Sequence, residues 1–182
     1  MITQQALLLL LGFFLTSVVG GALGYYFQNR TWNHQFFVNR GVAEWDAATR
    51  LFQEVSQLCD RRLYRMRRVI WGLNDRPRDE LDDRLAEYKE ALFAYNDKIN
   101  YNLAMVESYF GVGIRNDLES DVFANFARLG RDLDRALLST EASDTEALEA
   151  NLEELSDQLY SVNVRMIRAI QDGRIGSRNE VN

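Results

Sequence analysis

The hydrophobic positions of this chain form one unbroken apolar segment near the N-terminus and then recur with helical spacing. The first charged residue is Arg30, and Thr16 and Ser17 are the only non-aromatic polar residues of the segment 6–27. A run of about 20 apolar residues spans the hydrocarbon core of a bilayer. The pattern therefore predicts a transmembrane anchor over residues 1–29.

A cleaved signal peptide is the alternative to a retained anchor, since both have an apolar centre. Gly20, Gly21 and Ala22 would make an acceptable small-residue cleavage site. Residues 1–5, however, lack the basic side chains that usually open a signal peptide. We therefore expect the segment to be retained as a single membrane-spanning helix.

Small residues recur at every fourth position of the predicted anchor. They are Gly12, Thr16, Gly20 and Gly24. On a helix this spacing forms one narrow stripe that lets two backbones approach closely, and such packing is a main source of helix association in lipid. The stripe predicts packing against another copy of the chain or against a different membrane protein.

We expect a helical juxtamembrane segment over residues 30–42 after the anchor. Aromatic rings and cations occur in this segment and in the last turn of the anchor. Side chains of these types suit the headgroup region, so they predict contact with membrane lipid at the interface. They are Tyr25, Tyr26, Arg30, Trp32 and Arg40. Basic residues follow the anchor and none precedes it. The positive-inside rule therefore predicts a cytoplasmic soluble part, in a membrane such as the bacterial inner membrane.

The rest of the chain has apolar residues in steps of three and four, which is the spacing of one helix face. It predicts an all-α fold in which residues 43–172 form an antiparallel four-helix bundle of long helices, with a flexible polar tail over 173–182. The faces of the first two helices are predicted as Trp45, Ala48, Phe52, Val55, Cys59, Leu63, Met66, Ile70 and Leu73, and as Leu81, Leu85, Tyr88, Leu92, Tyr95, Ile99, Leu103, Val106 and Phe110. Those of the last two are predicted as Leu118, Val122, Phe126, Leu129, Leu133 and Leu137, and as Leu148, Leu152, Leu155, Leu159, Val162, Met166 and Ile170.

Turn and capping signals separate these four helices. Pro77 suits the first turn of the second helix, and the Gly-Val-Gly sequence at 111–113 predicts its end. Capping boxes predict the starts of the third and fourth helices, at Asn116 with Glu119 and at Ser143 with Glu146. The same spacing is compatible with an intermolecular coiled coil, so the pattern alone leaves the bundle's partners open.

Five arginines occur within the eight residues 61–68. Four of them predict a charged contact surface: Arg61, Arg62, Arg65 and Arg68. The alternative is a network of ion pairs with two acidic stretches expected at the same end of the bundle, each pair contributing about 0 to 1 kcal/mol. These stretches are Asp79, Glu80, Asp82 and Asp83, and Glu141, Asp144, Glu146, Glu149, Glu153, Glu154 and Asp157.

Composition excludes most catalytic and metal chemistry. The 182 residues include one histidine, His34, and one cysteine, Cys59. They are too few for a zinc site, for the Glu-x-x-His pairs of a di-iron bundle or for a histidine-dependent triad in the bundle. Cys59 lies on the apolar face, where it is expected to be a core residue. The net charge of −6 argues against nucleic-acid binding. We expect no cofactor, no metal and no enzymatic activity.

These features predict a non-catalytic function: a membrane-anchored helical bundle that assembles a homo-oligomer or a membrane complex. One alternative is an oligomeric, channel-like membrane effector gated by its bundle, although the anchor has few polar residues for a wide pore. Another is a small-ligand sensor, although such domains usually have a second span that leads to a signalling module.

Overall fold

The computed structural model describes residues 11–14, 17–18, 20–74, 78–139 and 145–176, and within these ranges it contains helices and no strand. Their side chains are described except at 22, 27, 29–38, 74, 78 and 79. The all-α prediction is confirmed. Residues 11–14 are helical, and from residue 20 onward the described residues form six α-helices: α1 (Gly20–Asn74), α2 (Arg78–Asn96), α3 (Ile99–Phe110), α4 (Val112–Asp117), α5 (Ala124–Leu138) and α6 (Thr145–Gln171). A π-helical segment, Leu118–Phe123, lies between α4 and α5.

The chain divides into two compact units, Met1–Ala43 and Glu44–Asn182. Helix α1 supplies residues to both, since it begins at Gly20 and ends at Asn74. The second unit contains α2 to α6 and is a helical bundle.

Two ion pairs join α1 to the α2–α3 stretch, and the order of their residues along one stretch is opposite to the order along the other. Glu54, which lies in α1 before Arg68, forms an ion pair with Lys98 in the turn that follows α2. Arg68, near the end of α1, forms one with Glu87 in the middle of α2. The two stretches are therefore antiparallel.

Helix α6 is antiparallel to its neighbours in the same way. The Ser56 hydroxyl of α1 donates to Asn163 Oδ1 at 3.0 Å. On the other side, Asn125 of α5 donates to Gln158 at 2.7 Å, and Asp117 of α4 pairs with Arg165 further along α6. Four helical stretches thus pack with alternating direction: α1, α2 with α3, α4 through α5, and α6.

The core contains most of the apolar residues that the helical spacing predicts. The largest fully buried side chains come from all four stretches: Phe126, Met66, Ile70, Leu118, Leu133, Leu152, Leu155, Met166, Val55, Val69, Val106 and Val122. Trp45 is an exception, because 47% of its surface is exposed and the buried face of α1 starts at Ala48. Since these faces cover one another within a single chain, the bundle needs no second chain to bury its core.

The predicted second helix is interrupted once. Asp97 and Lys98 form a turn between α2 and α3, and the Lys98 amide donates to Tyr95 oxygen, three residues back, at 3.3 Å. The residues that end α2, Asn96 and Asp97, favour such turns because their side chains compete for backbone hydrogen bonds. The apolar spacing continues across the turn, so the periodicity alone did not reveal it.

The third helix starts earlier than its predicted capping box. Gly111 has φ 87° and ψ 166°, and α4 begins at the next residue. Asn116 therefore lies inside a helix, and the prediction of a cap there is wrong. Because Gly111 alone provides the change of direction, Gly113 is free to be an ordinary helical residue. Ser143, of the other predicted capping box, lies outside the described residues.

The π-helical segment changes which side chains reach the core. A π turn accommodates one extra residue compared with an α turn. Val122 and Phe123 are adjacent in sequence, yet both are buried. The Phe123 ring then meets the Tyr95 ring edge-on, with 5.2 Å between centroids. The regular spacing predicted Val122 and missed Phe123.

The first residues of the predicted flexible tail pack against the bundle. The Gly173 amide donates to Ile170 oxygen and the Arg174 amide to Ala169 oxygen, which is the Schellman arrangement of a helix end. Ile175 is only 4% exposed. The prediction of a flexible tail is therefore wrong for 173–176, and residues 177–182 lie outside the described ones.

Replacing Gly111 with alanine should destabilise the protein much more than the same change at Gly113. The Gly111 conformation is almost restricted to glycine, so G111A should lower the free energy of unfolding by about 1–3 kcal/mol. At Gly113 the nearest atom to a new Cβ is Arg165 Nη2, at 3.9 Å. G113A should therefore be neutral or stabilising by up to about 1 kcal/mol. Urea denaturation followed by circular dichroism measures both, and equal losses would contradict this account of the turn.

Candidate functional site

The arginines of residues 61–68 have different environments. Arg61 is exposed and has no ion pair among the described residues. Arg65 and Arg68 both pair with one carboxylate, Glu87 of α2. Arg62 is buried, with 4% of its surface exposed. The four arginines predicted as one contact surface are therefore not all available to a partner.

Arg62 lies between two aromatic rings in the bundle core. Its guanidinium carbon is 4.5 Å from the centroid of the Tyr95 ring and 4.6 Å from that of Phe126. Its Nη2 donates to the Phe126 backbone oxygen at 3.2 Å, while Nε has no hydrogen-bond partner. Cation–π contacts of this kind are strongest where water is excluded. The prediction of Arg62 as a surface contact is wrong, because the helix turns this side chain inward, between α2 and α5.

The acidic groups around Arg62 are held in their neutral forms. Burial raises the pKa of the Cys59 thiol to about 12, with a smaller contribution from Asp60, against the opposing charge of Arg62. Burial also raises the pKa of Tyr88 and of Tyr95, again against the lowering effect of Arg62. Cys59 is only 1% exposed. A thiol of this kind is protonated and inaccessible at neutral pH, so it is unsuited to nucleophilic catalysis.

The acidic stretches predicted to pair with the arginines do so only in part. Arg65 and Arg68 use Glu87, which belongs to neither stretch. Of the first stretch, Glu80 pairs with Arg84 within α2. Several exposed carboxylates of α6 have no ion pair within the described part of the chain: Glu146, Glu149, Glu153, Glu154 and Asp157. Glu141 and Asp144 lie outside it. We call these five residues of α6 the acidic face.

Exposed aromatic rings flank the acidic face. Trp71 of α1 is 46% exposed, and Tyr64 and Tyr160 are exposed by 54% and 70%. An open cavity of about 280 Å³ lies beside Trp71, lined by Arg67, Trp71, Glu149, Leu152 and Glu153. Large rings next to uncompensated charge are typical of protein contact surfaces. This face, rather than the whole arginine segment, is a surface of the bundle whose charges have no ion-pair partner among the described residues.

Apolar side chains of the first unit are exposed where the structure describes them. The exposed fraction is 67% for Phe14, 52% for Leu23 and 73% for Tyr25, and Leu11, Phe13, Val18 and Tyr26 are also at least half exposed. A Cβ built at Gly12, Gly20 or Gly24 would have no atom within 4 Å. Arg40 is exposed. Thr16 and the side chains of Arg30 and Trp32 lie outside the described residues.

None of the helices, as far as the structure describes them, combines the length and apolarity of a membrane span. Residues 1–10, 15, 16 and 19 of the predicted anchor are not among those described. Clusters of three or more metal-ligating side chains are likewise absent from the described part of the chain, to which the side chain of His34 does not belong. Comparisons with protein-family models, with curated proteins and with solved structures find no match.

Replacing Arg62 should destabilise the bundle, while replacing Arg61 should not. R62A removes two ring contacts and leaves the Phe126 oxygen without its donor, and large-to-small changes in cores lose about 2–5 kcal/mol. R61A changes an exposed side chain, for which about 0.5 kcal/mol or less is expected. Chemical denaturation of the full chain measures the difference. A similar loss of unfolding free energy in both variants would contradict the stabilising role assigned to the Arg62 contacts.

The stability of the protein should fall in alkaline solution. Cys59 has a pKa of about 12 in the folded chain against an ordinary value of 9.0. The neutral thiol therefore favours folding fully below about pH 9, and this contribution is lost as the pH rises towards 12. Tyr88 and Tyr95 act in the same direction. Denaturation from pH 7 to 11 should show the decline, and C59A should make it shallower. An unchanged slope in C59A would contradict the assignment.

Proposed function

We propose that this protein is a single-pass membrane protein that acts by assembly, without chemical turnover, and that copies associate through the N-terminal segment. The observation that carries the proposal is the exposure of large apolar side chains in the first unit, such as Phe14, Leu23 and Tyr25. Exposed apolar residues gathered in one segment are typical of contact with lipid or with another protein. The sequence of residues 1–29 supports lipid as the surroundings.

The glycines support association between copies. Gly20 and Gly24 lie one turn apart in α1, and no atom of the described residues comes within 4 Å of a Cβ built at either position. Small residues at this spacing let two helices pack closely in lipid, where the hydrophobic effect cannot drive association. Thr16 and Gly12 continue the same spacing in the sequence.

The sequence supports one orientation of the protein in the membrane. Arg30 and Arg40 follow the anchor, and no basic residue precedes it. By the positive-inside rule the bundle then lies in the cytoplasm, with the anchor in a membrane such as the bacterial inner membrane. Tyr25, Tyr26 and Trp32 are suited to the lipid interface of this arrangement.

The bundle supports a contact function over a catalytic one. Its one cysteine is buried and protonated, and its buried arginine contacts aromatic rings of the same chain. The acidic face, whose carboxylates have no ion pair among the described residues, and its neighbouring rings offer a contact surface. Arg61 is the member of the arginine segment best exposed to a partner.

Native mass spectrometry of the full-length protein, extracted from the membrane fraction in mild detergent, tests self-assembly. We expect a defined homo-oligomer. Changing Gly20 and Gly24 to isoleucine should shift it to monomer, because the larger side chains keep the two backbones apart. The matched control is Gly21→Ile, which adds the same side chain at another open position, about 100° around the helix.

Three results would contradict the proposal. They are a chain recovered only outside the membrane fraction, a wild-type protein that is monomeric, and a Gly21→Ile variant that dissociates as completely as the Gly20→Ile, Gly24→Ile double variant. A one-to-one complex with a different membrane protein would replace self-association by heteromeric assembly.

A further inference from the structure

A second cavity lies at the end of the bundle where α1 enters it. The cavity is about 280 Å³ and is lined by Phe110, Ile114, Arg165, Arg168, Ala169 and Arg174. Three arginines thus line a small space together with apolar residues. No acidic residue lines it.

The C-terminal end of α6 and the turn after it position the three arginines of this cavity. Arg165 and Arg168 are one turn apart near the end of α6. The Schellman turn at Gly173, which has φ 67°, reverses the chain, and the buried Ile175 holds the reversed segment against the core. Arg174 is thereby brought back towards the other two arginines.

The three arginines are not equally compensated. Arg165 pairs with Asp117, and Arg174 pairs with Asp172 at 2.6 Å. The Arg168 side chain is exposed and has no ion pair or hydrogen bond to any described residue. Among the described residues the arginines of the lining therefore have one positive charge more than their paired carboxylates neutralise, and like charges repel each other unless an anion lies between them.

An adjoining cavity extends the site. It is about 750 Å³ and shares Phe110, Ile114 and Arg165 with the smaller one. Its lining includes the exposed Val112, Gly113 and Ala104. Glu107 and Ser108 also line it. A ligand with an anionic group in the smaller cavity therefore has room for a larger, partly polar portion beside it.

We propose that the cavity lined by Arg165, Arg168 and Arg174 binds a phosphate group that belongs to a larger molecule. Guanidinium groups match the geometry of phosphate oxygens and bind them through charge-assisted hydrogen bonds. Two sources have this chemistry, the headgroup of an anionic phospholipid and a soluble phosphate ester.

The choice of a phospholipid headgroup as the source rests on the proposed function, because it needs a membrane-anchored protein. Glu44, the first residue of the second unit, lies at this end, since a Cβ on Gly176 would be 3.1 Å from its carboxylate. The predicted juxtamembrane segment ends only two residues earlier in the sequence. A soluble phosphate ester needs no anchor.

The test uses two probes on the full-length protein in mild detergent: inorganic phosphate and phosphatidylglycerol. Inorganic phosphate should raise Tm relative to chloride at equal ionic strength, because a ligand that binds only the folded state stabilises it. Native mass spectrometry should show phosphatidylglycerol retained in preference to phosphatidylcholine. Arg168→Gln should weaken both effects at least about tenfold in apparent affinity.

The matched control is Arg131→Gln on α5, which also removes an exposed arginine without an ion pair among the described residues. It should leave both effects unchanged. General stabilisation by phosphate salts would persist in both variants alike and would overturn the proposal. So would the absence of both effects in the wild-type protein, or an equal loss in the two variants.

The remaining outcomes identify the source. Retention of phosphatidylglycerol, lost in Arg168→Gln, supports the lipid headgroup. A Tm increase that depends on Arg168 without lipid retention supports a soluble phosphate ester. These readouts do not depend on oligomer formation, so a monomer that binds phosphate would remove the proposed assembly and keep this site.

Discussion

Burial of the Arg62 guanidinium constrains three of the four helical stretches at once. The charge lies on α1, one flanking ring belongs to Tyr95 at the end of α2, and the other ring and the accepting carbonyl belong to Phe126 of α5. A charge taken out of water without an opposing carboxylate is expensive, several kcal/mol even after relaxation. Only a fixed spacing of these helices supplies both ring faces and the oxygen. Gly130 helps to set that spacing, since a Cβ there would lie 3.5 Å from the Tyr88 hydroxyl and 3.8 Å from Arg62 Nη2.

Sequence reasoning found the helices and most of the core because apolar spacing reports directly on burial. It could not assign the members of an arginine cluster to different roles. Arg61 and Arg62 are neighbours of the same type, and their environments differ only because a helix rotates about 100° per residue. The apolar residues Cys59, Leu63 and Met66 define a buried face on which Arg62 also falls, and that was the available signal. Glu87, the partner of Arg65 and Arg68, was missed because it lies beside a core residue, Tyr88, and outside the conspicuous acidic stretches.

Departures from regular geometry were the other features that periodicity could not provide. The turn at Lys98, the reversal at Gly111 and the π turn before Phe123 each leave the spacing of apolar residues along the sequence nearly unchanged. Each of them changes locally which residues face the core. The hydrogen bonds show this change, and the residue types alone do not. The same holds for the end of α6. Gly173 is a recognisable helix-stop signal, but the burial of Ile175 depends on the core that it meets.

The charges of α6 without an ion pair among the described residues are divided between its two halves by sign. Carboxylates from Glu146 to Asp157 occupy its first half, and Arg165 and Arg168 lie near its end. The helix dipole favours this order, but its effect falls off within the first and last turns. Asp157 is three turns inside the helix, so the dipole does not explain the whole acidic face. The acidic face and the arginine-lined cavity therefore lie towards opposite ends of α6. A phosphate group bound in the cavity, as proposed above, would leave the acidic face uncovered.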